Sequence, residues 1–203
     1  METKIVNSAQ IDHVANSLIN GEIIAFKTDT IFGLSCMATN KEACKKLVAI
    51  KNRENKPLII LLQNKNELKK YVKNICSNAQ KIINKFWPGP LTIIFESNYP
   101  FCDEITCKNP TIAIRVPNHK FTQNLLKKVG VPIVSTSANL SNKPALNTIE
   151  EIYNCFSGKL SYIVKEDKIS QENASSTIIS FENNSVKILR EGTIKKEQIE
   201  NIL

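Results

Sequence analysis

One α/β domain with a twisted sheet of mixed parallel and antiparallel strands, flanked by helices, is predicted over residues 5–203. Two observations predict it. Short apolar runs of strand length alternate with longer amphipathic segments of helical period, in an irregular order that fits a mixed sheet better than a regular βα repeat. No internal repeat or low-complexity linker interrupts them, and 203 residues are enough to bury most of the apolar surface in one core.

Taken in order, Ser8 caps a helix over about 9–19, with Ile11, Val14, Ala15, Leu18 and Ile19 on one face, and Gly21 ends it. Ile23 to Phe26 is a short strand, followed by the polar Lys27-Thr28-Asp29-Thr30 and then Ile31-Phe32-Gly33-Leu34-Ser35. A helix runs from about Lys41 to Ile50, with Ala43, Leu47 and Ile50 inward. Lys51 to Pro57 reads as an exposed basic loop. Leu58 to Leu62 is an unbroken apolar run, hence a buried strand. Two amphipathic segments follow, at about 65–73 and 77–86, before Phe86-Trp87-Pro88-Gly89-Pro90 reverses the chain. Leu91 to Phe95 and Thr111 to Val116 are strands, and Phe121 to Val129 is a helix. Val131 to Val134 is a buried strand, with the small residues Ser135 to Asn139 forming a loop beyond it. Thr148 to Phe156 is a helix. Tyr162 to Val164, Thr177 to Phe181 and Val186 to Leu189 are late strands, and a helix at about 195–202 closes the chain.

The composition narrows the function. Lys and Arg number 27 against 19 Asp and Glu, a net charge of +8, which favours anionic partners such as nucleotides or RNA. Six cysteines form no Cys-x-x-Cys pair and there are only two histidines, so no metal site is expected. The polar first residues lead into no long apolar core, and no apolar run approaches the roughly 18 residues of a membrane span. The expectation is a cytoplasmic protein with reduced thiols and no membrane association.

The stretch Gly130 to Asn142 has the most chemistry. Small side chains beyond a strand let a ligand approach the backbone, and hydroxyls with an amide supply donors and acceptors. Ligands of open α/β sheets sit beyond the carboxyl ends of strands. Four other stretches accompany it: Lys27 to Leu34; Lys51-x-Arg53-x-x-Lys56-Pro57-Leu58; Phe86 to Thr92; and Ala113-Ile114-Arg115-Val116-Pro117. With Ser135-Thr136-Ser137-Ala138-Asn139-x-Ser141, their order and spacing resemble the YrdC-like family, the threonylcarbamoyl-AMP synthases. The resemblance runs from about residue 10 to Leu189-Arg190-x-Gly192.

The resemblance implies a YrdC-like domain with a concave basic cleft. It also implies a reaction in which L-threonine and bicarbonate form N-carboxy-threonine. The new carboxylate attacks the α-phosphate of ATP, releasing pyrophosphate and leaving threonylcarbamoyl-AMP. A tRNA-modifying transferase complex would consume the product to make threonylcarbamoyladenosine, and direct RNA contact by this chain is a further possibility. Magnesium would accompany ATP with few protein ligands. The substrate supplies the nucleophile, so catalysis rests on positioning and charge neutralisation, and no Ser-His-Asp or Cys-His dyad is needed.

The family's Lys-x-Arg and later Ser-x-Asn fall on Lys51, Arg53, Ser137 and Asn139. In an exposed loop, Lys51 and Arg53 would clamp the triphosphate, one as a point charge and the other as a bidentate fork. By the same match, Lys56, Ser135, Ser141 and Arg190 line the nucleotide pocket, while Thr30, Arg115 and Ser176 hold threonine, with Arg115 on its carboxylate. In an extended segment Ser135, Ser137 and Asn139 share a face, and Thr136 and Ala138 turn away. Asp29 reads equally well as a turn cap, His119 as a helix-start residue, and Phe86-Trp87 with its prolines as packing and chain reversal.

Several positions depart from the family pattern. Lys27 stands where Pro is usual and Phe32 where Tyr is usual. The loop 53–57 is one residue short, Asn173-Ala174 replaces Gly-x-Glu, and no extra C-terminal domain is expected after Arg190. Two other functions share parts of this pattern. A carbamoyl-AMP-forming relative would carry the domain inside a longer chain with cysteine pairs. A non-catalytic module for double-stranded RNA would have lost the Lys-x-Arg or Ser-x-Asn set.

Overall fold

The alternation of short apolar runs resolves into strands of a single sheet. The computed structural model describes residues 2–52, 56–166 and 174–203. In chain order the elements are β1 (Lys4–Asn7), a 3-10 turn (Ser8–Gln10), α1 (Ile11–Ile19), β2 (Ile24–Lys27), β3 (Phe32–Met37), α2 (Lys41–Ile50) and β4 (Ile59–Leu61). A 3-10 helix (Lys65–Lys70), α3 (Ser77–Phe86), β5 (Leu91–Glu96), α4 (Asp103–Thr106), β6 (Thr111–Arg115), α5 (Lys120–Val129) and β7 (Ile133–Ser137) follow. The chain then forms α6 (Ile149–Phe156), β8 (Tyr162–Lys165), β9 (Thr177–Glu182), β10 (Ser185–Arg190) and α7 (Lys196–Glu200).

Some helix ends carry side-chain caps, and the expected Ser8 cap is corrected: the Asn7 side chain accepts from the Ala9 amide at the start of the 3-10 turn before α1. The Asn40 side chain accepts from the Ala43 amide at the start of α2, and Thr148 with Glu151 forms a capping box on α6. Gly130 ends α5 in the left-handed region, at φ 74°. Among the described residues no helix is long and apolar enough to cross a membrane.

The strand order is β1-β8-β2-β3-β7-β4-β6-β5-β9-β10. Parallel pairs β1·β8, β8·β2, β4·β6 and β5·β9 mix with antiparallel pairs β2·β3, β3·β7, β7·β4, β6·β5 and β9·β10. This is the expected mixed α/β sheet. Two expectations are corrected. β1 had been no part of the predicted sheet; it forms because Lys4 to Asn7 pairs in parallel register with Tyr162 to Lys165. The strand expected at 131–134 instead runs Ile133–Ser137, so Ser135, Thr136 and Ser137 are in the sheet and not in a loop beyond it. Neighbours on both sides hold them there: Ser35, Leu34 and Gly33 on β3, and Ile59 on β4.

The two faces of the sheet are covered unequally. On one, Leu34, Val134, Ile60, Ile114, Ile93 and Ile179 pack against α2, α3, α4, α6 and α7 in the larger core. On the other, α1 and α5 cover Ile24, Phe26, Ile133 and Leu61 with Val14, Leu18, Phe121 and Leu125. The rest of that second face, from Ser135 across Ile59 and Ala113 to Ile94 and Ile178, lines an open cleft. Alternation along the strands assigns the residues: Ser135 and Ser137 are half-buried on the cleft side while Thr136 is buried between them.

Ile60 has no exposed surface, whereas Ile5 on the edge strand is 50% exposed. Ile60→Ala should therefore cost about 2–5 kcal/mol by cavity formation, and Ile5→Ala no more than about 0.5 kcal/mol. Urea denaturation midpoints check this, and equal costs would contradict the assignment of faces.

Candidate active site

The cleft has a volume of about 350 Å³. Its floor is the uncovered sheet face and its far wall is apolar, formed by Ile94, Ile178 and Leu189. Leu189 is 50% exposed at that wall. Ser135 lies over Gly33, where a Cβ would fall 2.6 Å from the Ser135 hydroxyl oxygen. Glycine at 33 therefore keeps the floor open at that point.

Arg115, the last residue of β6, stands at one end of the cleft and is only 5% exposed. Its Nε donates to the Gly89 carbonyl at 3.0 Å, one Nη to the Thr30 hydroxyl at 2.9 Å, and the other Nη to Asp29 Oδ1 at 2.5 Å. Asp29 is itself held, because Oδ2 accepts from the Asn118 amide at 3.0 Å. The Thr28 and Thr30 hydroxyls are hydrogen bonded to each other at 2.9 Å. Burial pushes the Arg115 guanidinium below its ordinary value, and the charge and hydrogen bond of Asp29 oppose that push. An arginine stays cationic through such shifts.

Gly89 explains the Pro-Gly-Pro segment. A Cβ there would lie 2.4 Å from the Phe86 carbonyl oxygen, so only glycine fits the reversal that aims its carbonyl at Arg115. The Trp87 ring is buried, with Nε1 donating to the Leu91 carbonyl at 2.7 Å, as a packing residue should.

Ser176 and Arg190 form the facing wall. The Ser176 hydroxyl shares a 2.9 Å hydrogen bond with Thr92 and accepts from Arg190 Nη2 at 3.2 Å. Arg190 also donates to the Ser176 carbonyl from Nε at 3.1 Å and from Nη2 at 2.7 Å. Its guanidinium is pushed down first by burial and then by the positive charge of Arg115. Lys56, exposed at the cleft mouth, donates to Asn142 Oδ1 at 2.8 Å.

Seven of the expected site residues thus line one cleft: Thr30, Lys56, Arg115, Ser135, Ser137, Ser176 and Arg190. Lys51, Asn139 and Ser141 are not among its lining residues. Arg53 lies outside the described residues. Lys51 corrects the expectation of an exposed clamp, for it is 1% exposed. Its ammonium donates to the Ser137 carbonyl and, at 2.6 Å, to the Asn139 carbonyl. The Lys51 carbonyl in turn accepts from the Ser141 amide at 2.9 Å. A buried ammonium needs such partners, and the chain leaving β7 supplies them. Ser137 and Asn139 do share a face, since the serine hydroxyl donates to Asn139 Oδ1 at 2.5 Å. Asn139 Nδ2 donates to the Leu140 and Lys143 carbonyls, so the amide braces its own loop.

Asp29, read in the sequence as a turn cap, and Gly89 and Thr92 of the Phe86 to Thr92 motif were not among the expected site residues. A carboxylate between two threonines just after a strand was a usable signal for Asp29. A backbone carbonyl, as at Gly89, leaves none.

The Sua5/YciO/YrdC family model, described as "Telomere recombination", matches residues 16–192. The chain belongs to this family. It is 40% identical over 171 residues to the threonylcarbamoyl-AMP synthase of Buchnera aphidicola, covering 82% of this chain and 95% of that protein. It is 33% identical over 199 residues to the threonylcarbamoyl-AMP synthase of Bacillus subtilis, covering 97% of this chain but 57% of that one. The crystal structure of P. abyssi Sua5 complexed with L-threonine superposes with a TM-score of 0.92 at 28% identity, over 100% of this chain and 61% of that chain. The Sua5/YciO/YrdC domain is therefore shared throughout, while two of these three relatives extend well beyond it.

The buried position of Lys51 separates two roles by experiment. Lys51→Met would leave two carbonyls without their ammonium and should cost about 1–3 kcal/mol. Lys56→Met, at an exposed site, should cost no more than about 0.5 kcal/mol. Thermal or urea midpoints decide it. Equal, small losses would contradict the bracing role of Lys51.

Proposed function

We propose that this chain is a threonylcarbamoyl-AMP synthase, working in the cytoplasm on L-threonine, bicarbonate and ATP. The observation that carries the proposal is the pairing of a braced, cationic Arg115 with an apolar wall across one small cleft. That combination suits a carboxylate at one end and a nucleoside at the other. The likeness to a Sua5 solved with L-threonine supports the same reading.

In this reading the threonine carboxylate sits on Arg115, with Thr30 and Ser176 beside it. Bicarbonate adds to the amine with loss of water, giving the carbamate of N-carboxy-threonine. A carbamate oxygen attacks the α-phosphorus of ATP, the bond to the β-phosphate oxygen breaks, and pyrophosphate leaves. Lys56 and Arg190 neutralise the phosphates together with Arg53, and the proposed basic character of the cleft rests on Lys56, Arg115 and Arg190 in its lining. Ser135 and Ser137 offer hydroxyls to the nucleotide, and Ser141 belongs to the loop beside them. Lys51 and Asn139 act through the loop they brace. Magnesium accompanying the triphosphate would be held mainly by phosphate and water and would add to the charge neutralisation supplied by these side chains. The mixed anhydride then passes to a tRNA-modifying transferase complex, and direct contact with RNA belongs to the same proposal.

Pyrophosphate release tests this. It should require threonine, bicarbonate and ATP together and should stop with EDTA. Release with carbamoyl phosphate and ATP alone would point to a carbamoyl-AMP-forming enzyme, and no release under any condition would leave a binding module.

A further inference from the structure

The Arg115 guanidinium has five N–H groups. Three are committed to the protein, one each to Gly89, Thr30 and Asp29. That leaves one N–H on each terminal nitrogen, two donors that a carboxylate takes as a fork when they face the same side. Whether the fork presents itself to the cleft depends on rotation of the side chain, and the partners fixing that rotation differ in kind. Gly89 and Thr30 offer neutral oxygens. Asp29 offers a charge, with a side chain only 13% exposed.

Asp29 is not among the residues lining the cleft, although Thr28, Thr30 and Ile31 around it are. It stands behind Arg115. Its second oxygen is bound by the Asn118 amide, at the turn that links β6 to α5. The carboxylate therefore ties three parts of the chain together: the turn after β2, the end of β6 and the approach to α5.

We propose that Asp29 is the positioning residue of the amino-acid subsite. It locks the Arg115 guanidinium in the one rotation that leaves a bidentate fork facing the cleft, and it does so without touching the substrate. The inference rests on the reading of Arg115 as the carboxylate site. It adds that an empty subsite is already organised, so threonine meets a fixed fork and does not have to draw it into place. The same arrangement compensates a buried cation before any substrate carboxylate arrives.

The test uses Asp29→Asn and Asp29→Glu in the full chain. Asn keeps the shape but removes the charge and one of the two acceptors. Glu keeps the charge but moves it by a methylene. Two readouts are taken. In nitrogen-15 spectra of the arginine side chains, the wild type should show resolved terminal N–H signals for Arg115, marking slow rotation, assigned by their loss in Arg115→Lys. Asp29→Asn should merge them. In steady-state assays Asp29→Asn should raise the KM for threonine by about 10- to 100-fold, with the KM for ATP within about twofold, and Asp29→Glu should recover part of the loss. Unmerged Arg115 signals in the Asn variant, or equal losses toward threonine and ATP, overturn the positioning role. Should the wild type make no product at all, the proposed function fails, and the spectra still decide whether Asp29 fixes Arg115. Should the Asn variant not fold, the Glu variant is read the same way, and an unchanged threonine KM with unchanged spectra would overturn the role.

Discussion

A ten-stranded sheet has two faces to cover, and this chain covers only one of them along its length. Helices α1 and α5 close the second face over β1, β8, β2 and the near ends of β3, β7 and β4, and there they stop. The uncovered stretch cannot be an ordinary apolar surface. Its residues are accordingly mixed: hydroxyls at Ser135 and Ser137, a small side chain at Ala113, a cation at Arg115, and apolar Ile59, Ile94 and Ile178. An exposed apolar wall next to convergent polar groups marks a binding site more often than a defect of packing.

The charges in that cleft are arranged as if one were missing. Arg115 is compensated by Asp29. Arg190 leans on the carbonyl and hydroxyl of Ser176, which are neutral, and feels the positive charge of Arg115. An anion between the two guanidinium groups would relieve their repulsion and satisfy the remaining donors of both. Residues 29, 89, 115, 176 and 190 reach this point from five separate parts of the chain. The sheet order, which sets β6 beside β5 and β5 beside β9, makes the meeting possible.

Much of this was legible in the order of residues, because it depended on period and punctuation. The helix Lys41–Ile50 and the strand after its following loop follow from apolar spacing, and the end of α5 follows from Gly130. Thr30, Lys56, Arg115, Ser135 and Ser137 fall within the five motifs that resemble a family, and Ser176 and Arg190 within later matches to the same family. The parts that were not legible depended on three-dimensional partners. Ser135 to Ser137 looks like a loop by composition, and only its neighbours on β3 and β4 make it strand. Lys51 looks like a solvated charge, and only the carbonyls of Ser137 and Asn139 explain its burial. Asp29 looks like a turn cap because its ion-pair partner is distant in the chain.

The account's central claim is that the uncovered sheet face holds an amino acid by its carboxylate at Arg115 and a nucleotide along the apolar wall. A crystal structure with L-threonine and a non-hydrolysable ATP analogue tests it most directly. The account predicts the threonine carboxylate on the two terminal nitrogens of Arg115, with Asp29 and Gly89 still bonded to the same guanidinium, and the adenosine against Ile94, Ile178 and Leu189. Threonine bound away from Arg115, or a nucleotide lying outside this cleft, would contradict it.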